Sequence, residues 1–238
     1  MKILDWSSPA PAANIACDEA LLDECENGGD EVLRFWESST HFVTLGYTNS
    51  VTEEINANEC RENNIPILRR SSGGGTVLQG PGCLNYALVL RTENCDDLQN
   101  LSRTNAFILE RQRATLSQLL STPTAVEGYT DLAIQGRKFS GNAQRRKRKA
   151  LLFHGTFLVD FDLSLIQKYL ATPPKQPEYR GARSHLDFVT NIETSRDKLK
   201  QALCQTWNAN RVLASPPTAR IEQLVTEKYT RDEWNLKF

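Results

Sequence analysis

Three consecutive glycines, Gly73-Gly74-Gly75, stand between two apolar stretches, Ile65–Leu68 and Thr76–Leu78, directly after Arg69-Arg70-Ser71-Ser72. Glycine loses more backbone entropy on ordering than any other residue, so a triple glycine joining two strand-like pieces is costly to fix. It makes sense where backbone N–H groups must approach a ligand without Cβ atoms in the way, as in an anion-binding concavity. Arg70 adds a guanidinium able to make charge-assisted bonds to a phosphate or carboxylate. The plain alternative is a flexible hairpin loop. No Gly-Lys-Ser/Thr closes the segment, so it is not a P-loop. The glycine spacing is also wrong for a dinucleotide-binding turn, and no βαβ unit follows.

The rest of the chain sets limits on what such a loop can serve. Its 238 residues are 39% hydrophobic and 24% charged, an ordinary globular mixture rather than a disordered one. That length suits one large domain or two small ones. A net charge of −1 gives no global reason to expect nucleic acid or an anionic membrane as partner. No apolar run approaches the roughly 20 residues of a membrane helix. Trp6-Ser7-Ser8-Pro9-Ala10-Pro11 before Cys17 does not read as a signal-peptide core, and a cytoplasmic location is the expectation. Six scattered cysteines without a Cys-x-x-C pair, and three distant histidines (His41, His154, His185), predict reduced thiols and no metal held by His or Cys.

Periodicity predicts a helix over Ala12–Glu26, with Ala12, Ile15, Glu19 and Leu22 on one face and Gly28-Gly29 ending it. Strands are expected at Val32–Trp36, Phe42–Tyr47, Ile65–Leu68 and Leu84–Leu90, with a sharp turn at Gly80-Pro81-Gly82. A second helix is expected over Leu101–Leu120, then a hairpin of Asp131–Gln135 and Lys138–Gln144 around a Gly136-Arg137 turn. A basic loop, Arg145–Lys149, leads to a strand over Ala150–Asp160, and helices follow at Leu163–Leu170, Ser195–Trp207 and Ala219–Tyr229. Strands first, with helices interspersed, argue for an α+β fold rather than a doubly wound sheet.

Two further segments carry chemistry. In Gly136-Arg137-Lys138-Phe139-Ser140-Gly141-Asn142-Ala143-Gln144, Lys138 leaves a tight turn and enters a strand, a rigid place for a cation. Gly141 within that strand permits close approach of a ligand or another backbone. An exposed turn lysine is the plain alternative. In His154-Gly155-Thr156 a histidine sits in an apolar strand, where a hydrogen-bonded core residue is the usual role.

Taken together these segments resemble the lipoate–protein ligase A family, within the biotin/lipoate ligase and octanoyltransferase superfamily. The resemblance begins with Asn14–Leu22 and continues through Leu33-Arg34-Phe35-Trp36 and Val43–Tyr47. The Arg-Arg-x-Ser-Gly-Gly-Gly, Gly-Arg-Lys-x-Ser-Gly-x-Ala-Gln and His-Gly-Thr elements follow in order, and Glu233-Trp234-Asn235 looks like the end of the family's catalytic domain. The resemblance implies one such domain over residues 1–238, with a mixed, largely antiparallel central sheet flanked by helices and no C-terminal accessory domain. One sheet is expected to bring the Gly73–Gly75 loop and Lys138 to the same cleft.

It also implies an ATP-dependent ligase that converts lipoate or octanoate to acyl-AMP, with ATP and Mg²⁺, and passes the acyl group to a lysine of a lipoyl-type acceptor protein. Lys138 would be catalytic. Arg70, Ser72, Gly73, Gly74, Gly75, Thr76, Val77, Leu78, Gln79, Asn85, Asp131, Ser140, Gly141, His154, Gly155 and Thr156 would bind ATP or the acyl-adenylate. Leu78, Leu152 and Phe157 are candidates to line an acyl tunnel. A separate accessory chain is the other expected partner; nucleic acid and membrane are not. Gln79–Asn85 departs from the His-Asp and Gly-Asn of the best-known bacterial ligases. Two readings stay open beside the ligase. A thioester-using acyltransferase of this fold would carry a cysteine just before the hairpin, where Ala125–Leu132 has none and Cys83 is the nearest suspect. A non-catalytic module is the other, suggested by the basic run, whose usual fate is a solvated face.

Overall fold

The computed structural model describes residues 1–93 and 95–238. Strand β1 (Lys2–Asp5) and helix α1 (Pro11–Glu26) are followed by β2 (Val32–Trp36) and β3 (Phe42–Leu45). Short helices α2 (Val51–Glu54) and α3 (Ala57–Glu62) lead to β4 (Ile67–Arg69), β5 (Val77–Gln79) and β6 (Cys83–Arg91). After α4 (Leu101–Leu119) come β7 (Thr124–Glu127), β8 (Asp131–Ile134), β9 (Arg137–Arg146) and β10 (Ala150–Leu158). The remainder is α5 (Ser164–Tyr169), α6 (His185–Phe188), α7 (Arg196–Thr206), β11 (Arg211–Val212), α8 (Thr218–Leu224) and α9 (Asp232–Asn235).

Eight strands form one sheet in the order β11-β1-β2-β6-β10-β9-β8-β7, and a second sheet has the order β4-β3-β5. In the large sheet β11, β1 and β2 are parallel and every other pair is antiparallel. The class is therefore α+β, mixed and mostly antiparallel, as expected. One expectation fails: the glycine loop joins β4 to β5 and so belongs to the small sheet, not to the one that carries Lys138.

Both faces of the large sheet are covered, which is why β6 is buried from Cys83 to Leu90. Leu84, Tyr86 and Leu88 pack against Ile108, Leu109 and Leu116 of α4 and Leu199 and Leu203 of α7. Ala87, Val89 and Leu152 lie beneath Ile15 and Leu22 of α1 and Ile221 of α8. Helix α1 consequently has buried residues on nearly every side, including Asn14 and Asp18, rather than the single face predicted. A third cluster, with Val43, Leu45, Leu78, Ile166 and Phe188, fills the space around the small sheet.

Three polar side chains join the two sheets in a closed ring. Asn85 Nδ2 donates to Gln79 Oε1 (2.8 Å), Gln79 Nε2 to Thr156 Oγ1 (3.0 Å), and Thr156 Oγ1 to Asn85 Oδ1 (2.7 Å). All three residues are buried, and each linking group has its partner.

The hairpin between β8 and β9 turns at Gln135-Gly136, not at Gly136-Arg137. Both turn residues have positive φ (51° and 71°), as a two-residue hairpin of the primed type requires. Arg137 already pairs with Ile134. The pairing then shifts: Ala133 faces Lys138 while Leu132 faces Ser140. Phe139 is the extra residue, a β-bulge, and side-chain alternation changes phase across it. The basic run is also less of a loop than predicted, since β9 continues through Arg146 and β10 begins at Ala150.

Candidate active site

The bulge decides which side chains share a face. Phe139 and Ser140 both turn toward α4, where Phe139 stacks on Phe157 and Ser140 Oγ lies 3.5 Å from Asn142 Oδ1. Lys138 and Gly141 both turn to the opposite face. A Cβ on Gly141 would come within 2.9 Å of Lys138 Nζ, so the ammonium lies over that glycine. Asp131, opposite Gly141 on β8, pairs with Lys138 Nζ at 2.8 Å and accepts from Tyr179 Oη at 2.8 Å.

Register extends this face across the sheet. Asp131, Gly141, Thr156, Asn85 and Trp36 form one rung, and Ala143, His154, Ala87 and Arg34 the next. The glycine loop lies over the second rung. Gly74 has φ +86°, and a Cβ there would sit 3.1 Å from Ala143 Cβ and 2.9 Å from Arg70 Nη2. Gly73 and Gly75 face open space, with nothing within 4 Å of an added Cβ. The loop and Lys138 thus reach one cleft between the two sheets, although they come from different sheets.

Arg70 does not project into this cleft as a free guanidinium. Its Nη2 donates to Gly73 O (2.6 Å) and Gly75 O (2.8 Å), its Nε to Ser72 Oγ (3.0 Å), and its Nη1 to Thr44 O (3.3 Å). It holds the loop's carbonyls inward, which leaves the loop's N–H groups to meet a ligand. Burial pulls its pKa down to about 10. Thr76 Oγ1 donates to Glu54 Oε2 (2.5 Å) and accepts from Asn49 Nδ2 (3.1 Å), fixing the loop's exit into Val77 and Leu78 of β5. The entrance is fixed by neighbouring Arg69. Its backbone N–H donates to Asn235 Oδ1 (2.9 Å), and its guanidinium to Gly46 O (2.8 Å), Asn49 O (2.8 Å) and the carbonyls of Trp234 and Asn235.

Ser72 Oγ lies 2.6 Å from His154 Nε2, and His154 Nδ1 lies 3.1 Å from Asp18 Oδ2 of α1. Asp18 Oδ1 is salt-bridged to Arg34, which is wholly buried between the Trp6 and Trp36 indoles. Asp18 and Arg34 were given no role in the sequence reading. Arg34 left a signal, a lone charge in the otherwise apolar Val32–Trp36, whereas Asp18 shares its helix with Glu19, Asp23 and Glu24 and left none.

The structure therefore gathers Ser72, Gly73, Gly74, Gly75, Asp131, Lys138, Gly141 and His154 on one side of the sheet. Gln79, Asn85 and Thr156 lie beside them but are occupied with one another. Two expected contacts fall elsewhere. Ser140 faces α4 because of the bulge. Gly155 faces α4 because a Cβ there would meet Asn142 Oδ1 at 2.0 Å, so its glycine serves packing around the Asn142–Tyr86 hydrogen bond (2.5 Å). The proposed tunnel residues do not converge: Leu78, Leu152 and Phe157 belong to three separate clusters. The basic run sits at the far end of β9, roughly 25 Å from Lys138 along the strand. There Lys147 pairs with Asp23 and Arg146 donates to Leu98 O.

Cys83 is wholly buried, its thiol directed at Leu78 O (3.6 Å) and its pKa pushed far up by burial, so it is no ready nucleophile. Among the described residues no group of three or more His, Cys, Asp or Glu could hold a metal ion. No helix among them is long and apolar enough to cross a membrane.

Comparison with known proteins adds sequence and fold relationships. The family described as the lipoyl protein ligase A/B catalytic domain matches residues 10–207. A lipoate-protein ligase of Bacillus subtilis is 26% identical over 94% of this chain and 70% of its own length. Lipoate-protein ligase A subunit 1 of Thermoplasma acidophilum is 25% identical, over 94% and 91%. An octanoyltransferase of Geobacillus kaustophilus is 24% identical, over 99% and 98%. The fold is shared with a bi-partite lipoate protein ligase of Thermoplasma acidophilum (TM-score 0.84, 24% identity, 99% of this chain and 95% of that one). It is shared also with a lipoate-protein ligase A bound with ATP (TM-score 0.83, 23% identity, 99% and 98%).

Proposed function

We propose that this chain, which belongs to the lipoyl protein ligase A/B catalytic-domain family, is an ATP-dependent lipoate–protein ligase working through an acyl-adenylate. The carboxylate of lipoate or octanoate attacks the α-phosphorus of ATP, pyrophosphate leaves, and a mixed anhydride with AMP forms. A lysine amine of a lipoyl-type acceptor protein then attacks the acyl carbon, an amide forms, AMP leaves, and the amine gives up its proton.

One observation carries this reading: a fixed ammonium, Lys138, held over Gly141 beside a loop whose carbonyls Arg70 turns away. Negative charge gathers on phosphate oxygens in the first step and on the carbonyl oxygen in the second. A preorganised cation and backbone N–H groups stabilise both. Until a ligand arrives, Asp131 neutralises Lys138, and the adenylate's phosphate would take its place. Magnesium prefers phosphate oxygens and water. With no carboxylate cage among the described residues, it would enter with the nucleotide as MgATP.

We read residues 1–238 as one catalytic domain. The bi-partite relative supports a separate accessory chain beside the acceptor as partners. ATP as cosubstrate and six free thiols suit the cytoplasm.

The similarity to an octanoyltransferase supports a second reading, acyl transfer from a thioester without ATP. The buried state of Cys83 and the absence of a cysteine in Ala125–Leu132 weigh against it. The test is incubation with ATP, lipoate or octanoate and an apo-lipoyl domain, read by mass spectrometry. ATP-dependent acylation with release of AMP is expected. Acylation from an acyl-carrier thioester with no need of ATP would replace the ligase reading.

A further inference from the structure

A buried arginine–carboxylate pair does little for stability, because desolvating both charges offsets their attraction. Arg34 and Asp18 form such a pair, and Asp18 also reaches His154. The second rung explains how. Arg34 and His154 flank Ala87, whose small side chain lets one carboxylate from α1 span both neighbours. From His154 the chain of hydrogen bonds runs to Ser72, to Arg70 and to the carbonyls of Gly73 and Gly75.

With His154 a neutral imidazole, the direction of these bonds is fixed by the two ends. A guanidinium only donates and an ionised carboxylate only accepts. Arg70 Nε therefore donates to Ser72 Oγ, the Ser72 hydroxyl donates to His154 Nε2, and His154 Nδ1–H donates to Asp18. Serine, histidine and aspartate in this order look like a nucleophile with its base and orienting acid. Ser72, however, is only 1% exposed, and its oxygen is occupied by Arg70. It is a link, not a nucleophile.

We infer that Asp18 is a positioning residue. By holding His154 in the Nδ1-protonated tautomer it orients Ser72 and Arg70, and through them the glycine loop. The inference rests on the reading of this cleft as the acyl-adenylate site, but its first consequence concerns a proton in the ligand-free protein. In Asp18→Asn the amide oxygen must face Arg34, because an NH₂ there would meet another donor. The NH₂ then faces His154 Nδ1, and the proton must move to Nε2. Ser72 would receive hydrogen bonds from both His154 and Arg70, and its own hydrogen would lose its acceptor.

The test is ¹⁵N NMR of the full chain, labelled at histidine and free of ligand, alongside the rate of lipoyl-adenylate formation from lipoate and ATP. The expected results are an Nδ1-protonated His154 in the wild type, an Nε2-protonated one in Asp18→Asn, and a rate at least about tenfold lower in that variant. Ser72→Ala should keep the wild-type tautomer, since Asp18 still holds Nδ1–H. A wild-type His154 protonated at Nε2 overturns the inference. So does a tautomer that changes in Ser72→Ala, and so does one that stays unchanged in Asp18→Asn. If Asp18→Asn does not fold, the wild type and Ser72→Ala still decide. The expected tautomers in a chain that forms no adenylate would uphold the relay and defeat the reading of the cleft.

Discussion

At the scale of single residues the cleft is organised by what each charge is allowed to touch. Lys138 pairs with Asp131 and lies over a glycine, so its ammonium can reach a ligand without moving a packed side chain. Lys138→Ala is expected to leave the fold intact and to slow acyl-adenylate formation by at least about 100-fold, the order associated with losing a preorganised charge. Near-normal rates in a single-turnover assay would remove Lys138 from the chemistry. Arg70 has the opposite character, with Nε and Nη2 committed to the loop and Nη1 to Thr44 O of β3. The two cations read alike in sequence, each beside glycines. What separates them is which acceptors the fold brings near, and local pattern does not contain that. Asp18 was hidden for the same reason: its partners lie 16 and 136 residues away.

At the scale of elements, glycines with the same letter do different work. Gly73 and Gly75 have open space where a Cβ would go, whereas Gly155 has the Asn142 amide there. Gly73→Ala and Gly75→Ala should therefore fold with a melting temperature within a few degrees of wild type, while Gly155→Ala should lose roughly 1–3 kcal/mol from overpacking. The loop variants should lose adenylate formation out of proportion to stability. A titration in which Gly73→Ala and Gly75→Ala bind MgATP and lipoate as the wild type does would show that no ligand approaches the loop. Most elements were legible in the sequence, because apolar period and turn chemistry are local. The bulge at Phe139 was not. It arises from pairing with β8 and sets Lys138 and Ser140, which strict alternation would place on one face, on opposite faces.

At the scale of the whole molecule, the cleft lies between two sheets that the Gln79–Asn85–Thr156 ring joins. Asn85→Ala would leave Gln79 and Thr156 each short of a partner, at about 1–3 kcal/mol, and should lower denaturant resistance while weakening substrate binding. Unchanged binding in a destabilised variant would show the ring to be structural only. Acid should act on the protein in part through His185. Burial holds His185, which faces Ala171 O at 3.1 Å, below its ordinary value of 6.5. The unfolded chain takes up this proton first, so stability is full above about 6.5, falls as the pH drops toward the depressed value, and then levels. His185→Gln should flatten that part of a plot of melting temperature against pH; an unchanged slope would assign the effect to other groups. The fold class was legible in the order of strands and helices. The parallel edge and the second sheet were not, because partners such as Lys2 and Arg211 lie at opposite ends of the chain. One such distant connection has a bearing on biosynthesis. Arg69, one peptide bond from Arg70, is secured by Trp234 and Asn235, which leave the ribosome 165 and 166 residues after it. A nascent polypeptide can hold this loop through Gly46, Asn49 and Glu54 early, but the loop's entrance lacks its bonds to Trp234 and Asn235 until translation has passed Asn235.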